Sequence, residues 1–568
     1  MLYFVVATAI VLLVVIPAAQ ARRRREKRLE EMRLAWGSPR RRDRRMDTIA
    51  EYHRARAEEP GAPPSIDDRT WTDLDLDAVF ALIDRTESTL GQQALYDRLR
   101  RAPAPRPVDA FERLVTRFSG ELETRERAQD ALARLQNPAG YDLWWLAQPG
   151  AIEVRPWYGL FPFLALLMLA AILAVPVWHA AVIAIAAGGV ANLCIRAATA
   201  GRVRALIGSF RQLGPLIGAA DALAFLIADD TSTITAPLGV DAHALAPLRR
   251  IAAWVSRDAT ASDDLIASAF EYLNILFLLD ANALYFAARR LRAAGPSLLR
   301  LIPAVGEVDA ALAVASYRAG LRQWTRPRFL PDVSGTTLAD VRHPLVDDAV
   351  PNSVTLGPPH GVLITGSNMS GKTTFLRTAG VNAVLAQTIN TCLAAAYAAP
   401  VFTIYSCIGR ADNLLEGKSY YLAEVEAVLA LVRASGTLRP HLFLFDELFR
   451  GTNAVERVAA GEAVLRHLLT AGAPRPTHLV LAATHDGELV DLLSGQYAAY
   501  HFTDRIGPDG LVFDYRLQAG PATTRNAIAL LELYGAPDTL VRRAIDVAAM
   551  LDRQRSAAPA RLHDPGGV

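Results

Sequence analysis

The residues best suited to chemistry form one short glycine-containing loop. An apolar run over 362–365 leads into Gly366-Ser-Asn-Met-Ser-Gly-Lys-Thr-Thr374. Two glycines at this spacing, followed by lysine and threonine, are typical of a loop whose backbone N–H groups surround nucleotide phosphates. Lys372 is expected to reach the β- and γ-phosphates, and the Thr373 hydroxyl to ligate Mg²⁺. The alternative is a glycine-rich turn without function. The residues predicted to contact ATP here are Gly366, Ser367, Asn368, Met369, Ser370, Gly371, Lys372, Thr373 and Thr374.

Two apolar runs downstream end in residues that would complete such a site. The run over 442–445 is continuously apolar, as in a parallel strand buried on both faces, and is followed by Asp446 and Glu447. We expect Asp446 to hold Mg²⁺ and Glu447 to polarise the attacking water, provided that the strand ends here. The run over 479–483 is followed by His485, which is expected to sense the γ-phosphate or orient the water. The alternatives are a surface acid pair and a structural histidine.

The composition indicates a chain of several domains with membrane segments. At 568 residues the chain exceeds the size of one hydrophobic core. Hydrophobic residues make up 52%, which is above the usual share. The net charge of +2 gives no global case for nucleic-acid binding. Three scattered cysteines lack metal-site spacing and fit a reducing compartment.

The first apolar run, Leu2–Ala21, is long enough to cross a bilayer as a helix. The arginine-rich stretch Arg22–Arg28 follows at once, which places this end in the cytoplasm. A cleaved signal peptide is the alternative, because Ala19-Gln-Ala21 resembles a cleavage site. Signal peptides carry their basic residues before the apolar run, so we favour an anchor. The arginines of 40–45 are expected either to contact anionic lipid or nucleic acid, or to belong to a solvated helix.

Two further apolar runs, Trp157–Ala174 and Val177–Ile195, are separated by Pro176 and bracketed by Arg155 and Arg196. Their length and interfacial aromatic residues predict a membrane hairpin. The alternative is a buried helical pair in a soluble core. The hairpin predicts a multi-pass protein of the inner membrane with its triphosphatase in the cytoplasm.

Helical periodicity fills the regions on either side of the hairpin. Glu307 and Asp309 there are expected to cap the start of a helix. The predicted organisation is an anchor (1–21), a basic juxtamembrane segment (22–70), a helical region (71–155), the membrane hairpin (156–196), a second helical region (197–325), the ATPase domain (326–552) and a disordered tail (553–568).

Taken together, the motifs resemble those of the MutS family of mismatch-repair ATPases. The resemblance covers about 330–552 well and extends weakly to 71–140 and 200–325. It implies an α/β P-loop domain of the ABC/MutS type, preceded by an all-α core and lever region, to which the apolar runs add transmembrane helices. The residues that carry it are Arg342-His-Pro344, Thr365–Thr374, Gly417-Lys-Ser-Tyr-Tyr-Leu-Ala-Glu424, Asp446-Glu-Leu-Phe-Arg-Gly-Thr452 and Ala483-Thr-His485, with Asp84-Arg-Thr86 and Gly306-Glu-Val-Asp309 as faint markers.

The resemblance also implies an ATP site shared between the two subunits of a homodimer. One subunit would supply the phosphate loop and the other Ser419, while Arg450-Gly-Thr452 would lie at the interface. The chain departs from the family at Ser370, which replaces a loop glycine, and at Val350, near which an adenine-stacking aromatic residue is expected. Neither the mismatch-reading domain with its Phe-x-Glu wedge nor the C-terminal nuclease-like domain is found.

The motifs predict a membrane-anchored ATP hydrolase whose partners are a second copy of the chain, the lipid bilayer and, through the resemblance, duplex DNA. Coupling to the repair of mismatched DNA is one hypothesis. The alternative is an ABC-like motor for membrane remodelling or transport, against which the chain has no Leu-Ser-Gly-Gly-Gln signature. A nucleotide-gated scaffold without turnover is a third, and the intact Lys372 and Glu447 argue against it.

Overall fold

The computed structural model describes residues 16–101, 107–148, 156–230, 232–256, 264–356, 361–408, 420–436, 439–471, 478–507, 510–522 and 527–557. Most of the predicted anchor over 1–21 lies outside these residues. The helices before residue 320 are α1 (Ile16–Ala35), α2 (Met46–Ala57), α3 (Asp68–Asp73), α4 (Leu76–Ile83), α5 (Thr89–Arg100), α6 (Pro107–Gly120), α7 (Leu122–Leu132), α8 (Leu143–Leu146), α9 (Leu160–Ala174), α10 (Ala181–Leu226), α11 (Ala236–Ser256), α12 (Asp264–Phe277) and α13 (Leu279–Ala319).

The remainder of the chain alternates between strands and helices. Its strands are β1 (Arg328–Phe329), β2 (Thr336–Val341), β3 (Asn352–Leu356), β4 (Gly361–Thr365), β5 (Ala396–Ala399), β6 (Thr403–Cys407), β7 (His441–Asp446), β8 (Leu479–Ala483), β9 (Tyr497–Gly507) and β10 (Gly510–Ala519). Its helices are α14 (Lys372–Ile389), α15 (Tyr420–Ala434), α16 (Ala454–Thr470), α17 (Gly487–Leu492), α18 (Ala527–Leu533) and α19 (Asp538–Ala557).

Two compact units share the chain, and neither is continuous in sequence. The first comprises 1–65, 77–322 and 387–390, and the second comprises 66–76, 323–386 and 391–568. The regular elements described in the first unit are all helices. The second holds both sheets and therefore all the residues expected to bind nucleotide.

The first unit is organised around α13, with Asp309 in the middle of that helix rather than at its start as the sequence predicts. The Asp309 carboxylate accepts hydrogen bonds from the backbone N–H groups of Glu87 and Ser88, at 2.8 and 2.7 Å. It thereby holds the residues just before α5, whose N-terminus is capped by the Ser88 hydroxyl through a hydrogen bond from the Gly91 N–H. A Cβ on Gly306 would lie 2.8 Å from the Leu90 carbonyl oxygen, so the glycine allows α13 and α5 to approach closely.

Three of the arginines in the stretch 40–45 form hydrogen-bonded ion pairs with carboxylates of the first unit. Arg40 donates to Glu87 at 2.8 Å, and Arg42 and Arg44 donate to Asp84 at 3.1 and 2.8 Å. Asp84 is fully buried. Burial alone would raise the pKa of Asp84, but Arg42 and the hydrogen bonds from its neighbours hold that pKa below the ordinary value. The predicted contact with lipid or nucleic acid is therefore wrong for these three side chains. The arginines of this stretch that are exposed are Arg41 and Arg45.

The two apolar runs predicted to form a hairpin are exposed and largely helical, although the first four residues of the second run, 177–180, precede its helix. Trp157–Ala174 and Ala181–Thr199 are each long and apolar enough to cross a membrane. Only 17% and 11% of these segments are buried, whereas a helical pair in a soluble core would be largely buried. The second helix, α10, continues for 46 residues to Leu226.

The larger sheet of the second unit has the order β10-β9-β4-β8-β7-β6. Its strands are parallel except for the antiparallel pair β9 and β10. Phe443 and Phe445 of β7 pack with residues of α15 and α16 on one face. Leu444 points to the other face, where it lies against Gly380 of α14. Apolar residues on both faces explain why β7 reads as a continuous hydrophobic run. The smaller sheet has the order β1-β5-β2-β3.

The short helix α3 covers the edge strand β6 although the two are more than 300 residues apart in sequence. The Asp73 carboxylate accepts hydrogen bonds from the Ser406 hydroxyl at 2.7 Å and from the Ile408 N–H at 2.9 Å. Just after α3, Leu74 reaches Gly380 of α14. Residues 66–76 are thus part of the second unit.

Asp73→Ala should destabilise the second unit by about 2–3 kcal/mol, because two buried donors lose their acceptor. Pulse proteolysis of the full chain in urea, with detection of a C-terminal tag, measures this change. Asp491→Ala, at an exposed position on α17 of the same unit, is the matched control and should leave the midpoint unchanged. Equal midpoints for the two variants would show that α3 does not support the unit.

Candidate active site

The phosphate loop links β4 to α14, as the sequence predicts. Gly366 and Gly371 have φ angles of +138° and +114°, which disfavour any side chain. A Cβ on Gly366 would also lie 2.8 Å from the carbonyl oxygen of Phe502 in β9. The intervening Met369 has φ of +67°, and its side chain is 84% exposed. The loop is therefore held tightly against the sheet at its start and open to solvent in its middle.

Lys372, the first residue of α14, is buried behind this loop. Its Nζ donates to the carbonyl oxygens of Gly366 at 2.8 Å and Ser367 at 2.6 Å. Burial lowers the pKa of Lys372, while the nearby Glu447 and Asp446 act in the opposite direction. The ammonium group is thus aligned along the loop, where β- and γ-phosphate oxygens could replace the carbonyl acceptors.

Thr373 and Asp446 come together at the same edge of the sheet. The Thr373 hydroxyl donates to Asp446 Oδ2 at 2.6 Å. The second oxygen of this carboxylate, Oδ1, is buried and has no hydrogen-bond partner among the described residues. Burial raises the pKa of Asp446, and the hydrogen bond from Thr373 opposes that rise. A buried carboxylate oxygen that can still accept, beside a hydroxyl, fits the hard oxygen ligands that Mg²⁺ requires.

Glu447 reaches the site because β7 ends at Asp446 and the next residue turns. Glu447 has φ of +54°, and its N–H donates to the Ala483 carbonyl oxygen at 2.9 Å. Asp446 and Glu447 therefore do not alternate across the sheet as consecutive strand residues would. The predicted requirement that the strand end here is confirmed.

The Glu447 carboxylate contacts His485 and Arg450. His485 Nε2 lies 2.6 Å from Glu447 Oε1 and 2.8 Å from Asn368 Oδ1 of the phosphate loop. Arg450 Nε pairs with the other carboxylate oxygen of Glu447. Burial would raise the pKa of Glu447, but His485, Arg450 and Lys372 together lower it, so this carboxylate is held ionised.

Side chains of two neighbouring helices, α15 and α16, contact the residues that follow β7 and β8. Glu424 of α15 accepts a hydrogen bond from the N–H of Phe449, which has φ of +58°. Arg457 of α16 forms two hydrogen bonds with Asp486, at 2.8 and 2.7 Å. These contacts fix the residues that follow β7 and β8, and with them the position of His485.

A cavity of about 280 Å³ adjoins Gly371 and Thr374. Val350 forms part of its wall, as do two aromatic residues, Phe502 and Tyr515. The complete lining is Val341, His343, Val346, Asp347, Asp348, Ala349, Val350, Asn352, Gly371, Thr374, Phe375, Thr378, Phe502 and Tyr515.

The sequence did not predict Tyr515 as a site residue. Its side chain lines this cavity because the β9–β10 hairpin is irregular at this point. The pairing register shifts between Phe513 and Leu517, and Tyr515 has φ of +53°. Asn352 bridges the irregularity by donating to the Tyr515 carbonyl oxygen at 3.0 Å and accepting from Leu517 N–H at 2.7 Å. A Cβ on Gly371 would lie 3.5 Å from the Tyr515 ring. The aromatic side chain thus comes from a residue that is distant from the phosphate loop in sequence.

The site combines a phosphate loop with an acid pair and a histidine. Residues 362–552 match the family model of MutS domain V. MutS domain V is an α/β P-loop domain that binds and hydrolyses ATP at the family level, so the match identifies a MutS-type ATPase domain within the chain. It covers about a third of the chain, and residues 1–361 lie outside it.

Most of the predicted site residues lie together in this MutS-type domain, and one of them lies outside the described residues. The structure brings together the phosphate loop, Asp446, Glu447 and His485. Ser419, predicted to contact the γ-phosphate in a partner subunit, lies outside the described residues. Arg450 is described, and its side chain is 42% exposed while it pairs with Glu447.

Proposed function

We propose that the chain is a membrane-anchored ATPase of the MutS type whose site at the ends of β4, β7 and β8 hydrolyses ATP. The observation that carries this proposal is the pairing of Thr373 with Asp446 and of Glu447 with His485 beside the phosphate loop. Those pairs supply a metal ligand set and an ionised carboxylate where the γ-phosphate of a bound nucleotide would lie.

Each group then has a definite task. Lys372 would exchange its carbonyl acceptors for phosphate oxygens. Thr373 and Asp446 would hold Mg²⁺, which when bound neutralises charge that develops on the phosphates. Glu447 would orient and polarise the attacking water, and His485 would hold Glu447 in place. Because His485 also contacts Asn368, a shift of the loop on nucleotide binding would reach the water-activating carboxylate.

We assign the cavity beside Gly371 to the adenine base. Its volume of about 280 Å³, its aromatic wall and its position beside the first turn of α14 support that assignment. Tyr515 would stack on the base from the hairpin, on a pocket wall that also includes Val350.

Tyr515→Ala should weaken ATP binding by about 1–3 kcal/mol, roughly 5- to 150-fold, through the loss of base stacking. Tyr515→Phe keeps the ring and should bind nearly as well as the unaltered chain. Inorganic tripolyphosphate, which has no base, should bind all three proteins equally. An alanine variant that loses tripolyphosphate affinity in parallel would place Tyr515 outside the base pocket.

The dimer and the membrane complete the proposal. The exposed Met369 and the partly exposed Arg450 leave one side of the site open, which suits closure by a second copy. The exposed apolar surface of α9 and the first part of α10 suits a lipid bilayer.

A single helix, α14, carries Lys372 at its first residue, and Arg318 donates to the carbonyl oxygens of Ile389 and Asn390 at its other end. We propose that the nucleotide cycle acts on the first unit through this helix.

The test uses the full chain purified in detergent with ATP and Mg²⁺. We expect Mg²⁺-dependent turnover and a dimer that light scattering detects only with nucleotide. A protein that stays monomeric and leaves ATP intact would overturn the proposal. Titration with duplex DNA across a salt series tests the DNA coupling that the resemblance implies, since phosphate contacts produce a linear fall of log affinity with log salt.

Membrane topology is tested separately. A reporter fused after Met1 should lie outside the cell, and one after Val568 inside. Reporters on the same side would contradict an anchor followed by a hairpin.

A further inference from the structure

The helix–turn–helix formed by α12 and the start of α13 packs against the hairpin at the end where its two helices leave the apolar span. Leu278 and Ala281 form a buried cluster with Tyr158 and Phe161 of the first span, against which Ile195 of the second also packs. All of these contacts lie within the first unit. The turn is therefore tied to both helices of the proposed membrane hairpin.

The depth of this turn follows from its partners. Asn192 of α10 donates to the Leu276 carbonyl oxygen at 2.7 Å, and one helical turn further along, Arg196 pairs with Glu271 at 2.7 Å. Four residues of helix span about 6 Å. Leu276 therefore lies about 6 Å further into the apolar span than the ion pair between Arg196 and Glu271.

Contacts with the first span place the turn at the same depth in the apolar span. Asn282 Nδ2 lies 3.4 Å from the Phe161 carbonyl oxygen, and Phe161 is four residues past Trp157. Tyr285, one turn beyond Asn282, approaches Gly159. The chain thus enters the level of the apolar span at the end of α12 and leaves it again in the first turns of α13.

Three backbone polar groups of the turn are hydrogen-bonded to side-chain amides, and among these amides Asn282 Oδ1 is buried without a partner in the described residues. Leu278 has φ of +49°, which breaks the helix there. The Phe277 carbonyl oxygen accepts from Asn282 at 2.9 Å, and the Asp280 N–H donates to Asn274 at 3.0 Å. With Asn192 on Leu276, three asparagines supply partners that water would otherwise provide. Non-helical backbone is tolerated at membrane depth only when its polar groups are satisfied in this way.

The solvent-facing surface of α12 and the start of α13 is apolar at the level of the apolar span. It becomes basic one helical turn further along α13. Tyr272, Leu273 and Phe286 are 70%, 46% and 48% exposed. The exposed Arg289 and Arg290 follow within one turn of Phe286. Aromatic and apolar side chains followed by arginine match the boundary between acyl chains and anionic headgroups on the cytoplasmic side.

We propose that α12 and the first two turns of α13 form an interfacial helix–turn–helix, inserted into the cytoplasmic leaflet beside the hairpin. The occupant of its exposed apolar surface is lipid, at the acyl–headgroup boundary. This inference rests on the proposed membrane location of the hairpin. It adds a third membrane contact to the described part of the first unit, without a further crossing of the bilayer.

Spin-label accessibility in the full chain reconstituted into liposomes tests the insertion. The background is Cys194→Ala, because Cys194 is exposed whereas Cys392 and Cys407 are buried. Labels are placed at Leu273→Cys and Phe286→Cys, with Tyr272→Cys as a second variant on the same surface. Ile183→Cys, 72% exposed in the second span, is the lipid reference, and Val240→Cys, 75% exposed on α11, is the aqueous reference.

We expect Leu273 and Phe286 labels to resemble Ile183, with more exposure to oxygen than to a water-soluble nickel complex, at a depth of about 5–10 Å. Leu273 and Phe286 labels that resemble Val240, while Ile183 reports lipid, would overturn the insertion and leave the hairpin intact. An Ile183 label that itself reports water would overturn both the hairpin and the insertion. The Tyr272 label distinguishes the same outcomes if either of the other variants fails to fold.

Discussion

Glu447→Gln is expected to slow ATP turnover by about 10²- to 10⁴-fold, the range attributed to a positioned general base, while ATP binding is retained. The amide has the size of the carboxylate but cannot accept a proton from water. Since Lys372, Thr373 and Asp446 remain in place, the phosphates and Mg²⁺ keep their ligands. A nucleotide that binds but is not cleaved should also hold the proposed dimer closed.

The measurement compares steady-state turnover with nucleotide affinity and with mass by light scattering. Glu462→Gln is the matched control, because Glu462 pairs with Arg466 on the surface of α16, away from the phosphate loop. It should leave all three quantities unchanged. Turnover that survives in Glu447→Gln would remove Glu447 from the reaction, whatever the dimer does.

The Glu447 prediction depends on features that local sequence specifies well. Glycines at fixed spacing, a lysine and a threonine encode the phosphate loop, because only that backbone path brings N–H groups to phosphate. Apolar runs of strand length encode β7 and β8, and parallel pairing aligns their carboxyl ends. Asp446 pairs in register with Ala483, which places the acids and His485 at one edge.

Features that depend on long-range contacts could not be predicted in the same way. Asp309 looks like the start of a helix because it precedes an apolar stripe, yet it holds the residues just before α5, more than 200 residues away in sequence. Arg42 and Arg44 look like a basic surface until Asp84 is placed beside them. Tyr515 points into the cavity only because the β9–β10 hairpin is irregular and Asn352 bridges the irregularity.

Lys372→Ala is the second change with a large expected effect, and it acts on binding rather than on the chemical step. A charge-assisted hydrogen bond is worth about 1.5–3 kcal/mol, so loss of the contacts to the β- and γ-phosphates should weaken ATP binding by roughly 100-fold or more. Turnover should fall in parallel. Lys372→Arg is the control for charge, and the larger planar guanidinium should restore binding only in part.

Thermal stability separates this loss of binding from a loss of folding. Burial lowers the pKa of Lys372, which means that the folded state disfavours the charged form of this side chain relative to the unfolded state. The charged lysine therefore costs folding free energy at neutral pH, and its removal relieves that cost while freeing the carbonyl oxygens of Gly366 and Ser367. Lys372→Ala without nucleotide should consequently unfold at a temperature close to that of the unaltered chain. ATP should raise the unfolding temperature of the unaltered chain more than that of Lys372→Ala at the same concentration, because the stabilisation grows with the ratio of ligand concentration to Kd. A variant that unfolds much earlier without nucleotide would show that Lys372 holds the loop together rather than the phosphates.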